Sequence, residues 1–156
     1  MIDDFCGKYE FLSNFYKLPD GTTIEHLFQA EKTNDPIWKQ KILKAPTSGQ
    51  AKRLGRQCPI RSDWEEVKDD IMYMKLKTRK FSYPQLLRML LETGNQELIE
   101  GNTWHDNYWG NCTCYKCRNI PGKNMLGKTL MRLRDESKEQ ESDKETELDE
   151  LQKSRG

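Results

Sequence analysis

The chain has 156 residues and a mass of 18.5 kDa, room for one domain with one core and too little for a multidomain machine. Hydrophobic residues make up 35% against 33% charged, a thin apolar supply that predicts an unburied segment. Setting aside Asp135–Gly156, with nine acids and four bases, turns a net charge of +1 into 22 bases against 16 acids over Met1–Arg134, a moderately basic body that suits a phosphate-bearing ligand but falls short of the clustered stripe of a dedicated nucleic-acid binder.

The start, MIDDFCGK, carries acids where a signal peptide has bases, and no run of about 18 apolar residues follows. No membrane is expected, and a cytoplasmic location is. Tyr9, Phe11, Phe15 and Tyr16 ahead of Pro19-Asp20-Gly21 predict strand, turn, strand. A helix is expected from Glu25 to about Asn34, placing Glu25 and His26 in its first turn, with Pro36 ending the run. A second covers Ile37–Ala45, and Thr47 with Gln50 forms a capping box for a third. Asp63 caps the strongest helix, whose apolar stripe is Trp64, Val67, Ile71 and Met74 and which reaches about Lys80. Pro84 opens another helix and Gly94 closes it, Leu98–Glu100 reads as a short strand, and Gly101–Gly122 is a long polar loop of functional type. The last helix starts near Asn124 and buries Met125, Leu126, Thr129, Leu130 and Leu133; the charged residues 135–156 are expected as a disordered or frayed-helical acidic tail.

No Rossmann fingerprint, P-loop, HExxH or G-x-S-x-G is present. The acids that stand among aromatics and amides are Glu25 in EHLFQAEK and Asp106 in HDNYWG. A desolvated carboxylate can serve as acid, base or cation stabiliser; the structural alternatives are a helix-dipole partner for Glu25 and an Asx turn for Asp106. Trp109 is a stacking candidate for a flat heterocycle, whereas Trp64, on the apolar stripe of the strongest helix, reads as core ahead of stacking. Lys32, Lys52, Arg53 and Arg56 could hold phosphate, or simply solvate helix faces. His26 reads as a capping residue ahead of a proton carrier. Cys112, Cys114 and Cys117 offer three soft ligands with His105 as a fourth, but structural zinc sites commonly pair two separated clusters, so no metal is expected and the cysteines stand behind that reading as zinc ligands.

Several blocks occur together in order: Phe11-Leu12-Ser13-Asn14-Phe15, Glu25-His26-Leu27-Phe28-Gln29-Ala30 with Lys32, Ala51-Lys52-Arg53-Leu54-Gly55-Arg56, Leu98-Ile99-Glu100, Asp106-Asn107-Tyr108-Trp109-Gly110 and Gly122-Lys123-Asn124-Met125-Leu126-Gly127. In these the chain resembles the YbiA-like family, also called NADAR, over about residues 5–134. The resemblance implies a compact, mainly α-helical α+β single domain over residues 1–134 with a few short strands. It implies an N-glycosidase with no cofactor, acting on a small phosphate-bearing ribosyl or nucleotide substrate. The substrates implied are ribosylamino-pyrimidine phosphates of early riboflavin synthesis. The alternatives are removal of ADP-ribose from modified guanine, the one way nucleic acid would enter, or ADP-ribose binding without catalysis. By position it makes Glu25 and Asp106 catalytic and Trp64, Trp109, Phe28, Gln29, Lys32, Arg56 and Asn124 substrate-binding.

Overall fold

The computed structural model describes residues 1–155. Its centre is α1 (Ile24–Ala30), all seven residues of which are buried. Thr23 starts it, with Oγ1 accepting the His26 N–H at 3.1 Å. The same oxygen lies 2.7 Å from His26 Nδ1, while His26 Nε2 reaches the Ala45 carbonyl at 2.9 Å. Through those two contacts His26 ties α1 to the chain after α2 (Pro36–Leu43). Around α1 pack α2, α3 (Ser48–Gln57) and α4 (Trp64–Lys75). A helix enclosed on every side carries any polar residue it holds into the interior.

The helix signals act in part. Thr47 Oγ1 accepts the Gln50 N–H, but the Gln50 side-chain oxygen makes no return bond. Pro84 begins α5 (Pro84–Glu92), and Gly94 follows it at φ +67°, the left-handed conformation that glycine adopts without strain. Asp63 does not cap α4. Its carboxylate is taken by Arg61, whose Nε and Nη2 both donate to it, since a bidentate guanidinium outcompetes a single backbone N–H. The inward face of α4 is Trp64, Met72 and then Leu76, while Met74 is 47% exposed. The expected stripe is therefore rotated, because α1 contacts the Trp64–Met72 side. A π-helical turn (Leu76–Lys80) extends α4 and carries Lys80 into the core.

The N-terminal segment is not a strand pair. Gly7–Leu12 is a 3-10 helix, because burying Phe11 and Leu12 against α1 and α4 residues of the same core rewards a compact turn. The strand placed at Leu98–Glu100 shrinks to a bridge between Leu98 and Ile2. The sheet proper is two residues per strand: β1 (Gly101–Asn102) runs parallel to β2 (Asn111–Cys112), with Asn102 opposite Cys112. The final helix α6 (Met125–Arg155) buries Leu126, Leu130 and Leu133. Arg134 is buried too, donating to Thr93 Oγ1 at 2.9 Å. Glu136 and Lys138 still hold Tyr73 and Gly94; residues 139–155 continue the helix exposed. No helix among the described residues is long and apolar enough to cross a membrane.

Candidate active site

A cavity of about 440 Å³ opens between α1, α3, α4 and the Trp104–Trp109 loop. Glu25 lies at its inner wall, only 7% exposed. The first turn of α1 faces the cavity here, and one turn on Gln29 Nε2 donates to Glu25 Oε1 at 2.7 Å. Burial raises the Glu25 pKa above the ordinary carboxylate value; the Gln29 bond and the Lys52 and Lys32 charges oppose that rise, and the Asp106 charge adds to it. Gln29 is wedged in turn against Gly55 of α3, where a Cβ would stand 2.8 Å from Gln29 Cδ and collide with its amide oxygen. That close approach explains a glycine inside a helix.

Besides the exposed Asp4, two further carboxylates line the same space. Asp106 Oδ1 accepts the N–H groups of Tyr108 and Trp109 at 3.1 and 2.9 Å, an Asx turn that fixes the side chain. The Asn102 amide clamps its backbone from the other side, Oδ1 on the Asp106 N–H and Nδ2 on the Asp106 carbonyl. Both structural alternatives read from the sequence are thus realised at residues that also line the cavity. Glu100 is the third acid. Burial, then the charge of Asp106, lifts its pKa to about 8, against weaker opposing effects of Asn102 and Lys52. At neutral pH it is chiefly the protonated acid.

Phe28 is the hinge of an aromatic wall, with its ring 5.0 Å from Trp64 and 5.2 Å, edge-on, from Trp109. Trp64 is both core and wall, being buried in the main hydrophobic cluster while lining the cavity. The basic residues Lys32, Lys52 and Arg56 line the opposite chemistry. Burial lowers the Lys32 pKa, and the charge of Glu25 partly restores it. Lys52 Nζ stands 5.8 Å from the exposed Trp104 ring at the rim. A second, shallower groove lined by Pro36, Ile37, Lys41 and Leu54 holds no carboxylate, so it offers no comparable chemistry.

Of the residues proposed from sequence, Glu25, Asp106, Trp64, Trp109, Phe28, Gln29, Lys32 and Arg56 all line this cavity. Asn124 does not. It is buried at φ +52°, its Oδ1 accepting the Glu100 N–H and its Nδ2 donating to the Leu98 carbonyl. Bonded to the backbone at both ends of its amide, it fastens the start of α6 to the strand region. Glu100, Lys68, Tyr108 and Met72 are lining residues that were not picked out individually as site residues. Glu100 had one signal, an acid directly before Gly101 at the mouth of the functional loop; nothing local marked it as desolvated. The same loop gathers His105 with the thiols of Cys112, Cys114 and Cys117.

The NADAR domain model matches residues 5–138, and the chain belongs to the NADAR domain family. It is 36% identical over 138 residues to N-glycosidase YbiA of Shigella flexneri serotype 5b, covering 86% of this chain and 82% of that protein. It is also 36% identical over 155 residues to the chloroplastic riboflavin biosynthesis protein PYRR of Zea mays, of whose length it spans 24%. The NMR structure of E. coli YbiA superposes with a TM-score of 0.73 at 32% identity, covering 90% of this chain and 86% of that one.

Proposed function

We propose that this chain is an N-glycosidase that hydrolyses the bond between a ribosyl C1′ and the nitrogen of a flat base. The substrates are ribosylamino-pyrimidine phosphates of early riboflavin synthesis, and the products are ribose 5-phosphate and the free pyrimidine. The observation that carries this reading is Glu25, a carboxylate 7% exposed beside an aromatic wall and within the field of Lys32 and Lys52. Relatives named as an N-glycosidase and as riboflavin biosynthesis proteins support it. Cleavage builds positive charge on the ribose, and a pre-placed carboxylate stabilises it most where water is excluded.

The roles follow from the electrostatics. The base lies against Phe28, Trp64 and Trp109, and phosphate is held by Lys32, Lys52 and Arg56. Glu25, oriented by Gln29, stabilises the oxocarbenium and aligns the water that attacks C1′. The C1′–N bond breaks as Glu100, neutral at pH 7, gives its proton to the leaving nitrogen. The water's proton passes through Glu25 to solvent, and Glu100 is reprotonated from solvent. Asp106, pinned by two backbone N–H groups, accepts the ribose hydroxyls with its remaining lone pairs. A reducing, cytoplasmic compartment suits the five unpaired cysteines.

The test incubates wild type and Glu25→Gln separately with a ribosylamino-pyrimidine phosphate and with ADP-ribosyl-guanine, following base and sugar by mass spectrometry. Release from the pyrimidine substrate, slowed about 100-fold or more in the variant, is expected. Release from the guanine substrate alone would reassign the chain to ADP-ribosyl hydrolysis. No release from either, or a variant as fast as wild type, refutes the assignment.

A further inference from the structure

Trp109 anchors the near end of the loop that carries Asp106, but the stretch after β2 has no large apolar anchor of its own. Of residues 113–123, all described, Cys117 is the one buried residue, and the large side chains Tyr115 and Ile120 are 79% and 51% exposed. What converges beneath this loop is a set of four donor atoms. His105 Nδ1 lies 3.3 Å from Cys114 Sγ, 3.3 Å from Cys117 Sγ and 4.0 Å from Cys112 Sγ, and all four atoms are within 4.8 Å of one another. None of the three cysteines is in a disulfide.

We propose that His105, Cys112, Cys114 and Cys117 bind one structural zinc ion that fastens the Trp104–Gly122 loop against the cavity. Zinc–sulfur bonds of about 2.3 Å and zinc–nitrogen bonds of about 2.0 Å set tetrahedral edges of roughly 3.8 Å between sulfurs and roughly 3.5 Å from sulfur to nitrogen. The three observed sulfur–nitrogen edges bracket the second value. The ligands also come from separate places, as a tetrahedron requires: Cys112 from β2, His105 from the β1–β2 connection, and Cys114 and Cys117 from the following turn, closed by the Cys117 N–H on the Cys114 carbonyl at 3.1 Å. His105 sits at φ +69°, a strained conformation for a residue with a Cβ. It aims Nδ1 at the sulfurs while its own N–H donates to Cys112 Sγ at 3.3 Å.

On binding, the three thiols release their protons to solvent, three Zn–S bonds and one Zn–N bond form, and the site carries one net negative charge. Four protein ligands leave no open position, so the ion takes no part in bond cleavage. Its effect reaches the cavity through the chain, because His105 is followed directly by Asp106, and Asn102, which clamps Asp106, pairs with Cys112 in the sheet. The inference stands apart from the proposed glycosidase activity, and its readout is the metal itself.

The full chain, expressed without a polyhistidine tag, is analysed for metal after dialysis and again after adding zinc chloride. One zinc per chain is expected, retained in Glu25→Gln and lost in the double variant Cys114→Ser/Cys117→Ser. Cobalt(II) in place of zinc should give the ligand-field and charge-transfer bands of a tetrahedral, thiolate-rich site. Should the double variant fail to fold, His105→Ala, altered at an exposed residue, is expected to weaken zinc at least tenfold in a chelator competition. Substoichiometric zinc after reconstitution, a His105→Ala affinity equal to wild type, or a disulfide among the three cysteines in freshly purified protein overturns the proposal.

Discussion

Lys80 is fully buried, and its ammonium donates one hydrogen bond, to the Ser13 carbonyl at 2.7 Å. Burial lowers its pKa from 10.5 to about 7. The unfolded chain therefore holds a proton between those values that the folded chain lacks, and stability rises with pH by about 1.4 kcal/mol per pH unit across the window. Below about pH 7 the lysine is charged in both states and the folded protein bears the full burial penalty, about 5 kcal/mol. Lys80→Met removes that penalty but orphans the Ser13 carbonyl, which costs about 1–3 kcal/mol. The variant should be about 2–4 kcal/mol more stable than wild type at pH 6 and about 1 kcal/mol less stable at pH 10. Urea unfolding of both proteins across that range, read as the difference in stability, cancels every other titration they share. A difference that stays flat with pH would falsify the account of Lys80 as a desolvated, unpaired cation.

The pH dependence of kcat/KM should be bell-shaped: activity falls on the acid side as Glu25, with its raised pKa, takes up a proton, and falls again above about pH 8 as Glu100 loses its own. Glu100→Gln, which cannot give up a proton, should remove the alkaline limb and slow the reaction; an unchanged limb assigns the proton donor elsewhere. Gly55→Ala should displace Gln29 from Glu25, lowering kcat more than it raises KM and destabilising the protein by about 1–3 kcal/mol, measured by steady-state kinetics and thermal melts. Arg56→Met should raise KM for a phosphorylated substrate severalfold with kcat nearly unchanged, and a fall confined to kcat contradicts phosphate binding there.

Much of this protein is legible in its sequence because the signals are local. Glu25 lies in a helix's first turn, Pro84 and Gly94 bracket α5, and Leu126, Leu130 and Leu133 repeat at helical spacing; each acts within a turn or two of itself. The ordered blocks that resemble the NADAR family likewise pointed to Glu25, Asp106, Phe28 and Trp109 without any coordinates. What the sequence could not determine depends on packing between distant segments. Phe11 and Leu12 form a compact turn where a strand is expected, because they pack in the core with α1 and α4, whereas Asp63 fails as an N-cap for a local reason, the Arg61 guanidinium two residues before it.

The same limit divides the site. Residue types alone indicated that carboxylates, aromatics and cations were available. Only the tertiary structure decided that Glu100 is desolvated beside Asp106, that Asn124 spends both ends of its amide on the backbone, and that a histidine and three cysteines converge on one point. Burial, electrostatic coupling and ligand geometry are properties of what surrounds a group in three dimensions, and residue type and spacing do not state which groups a folded loop brings together.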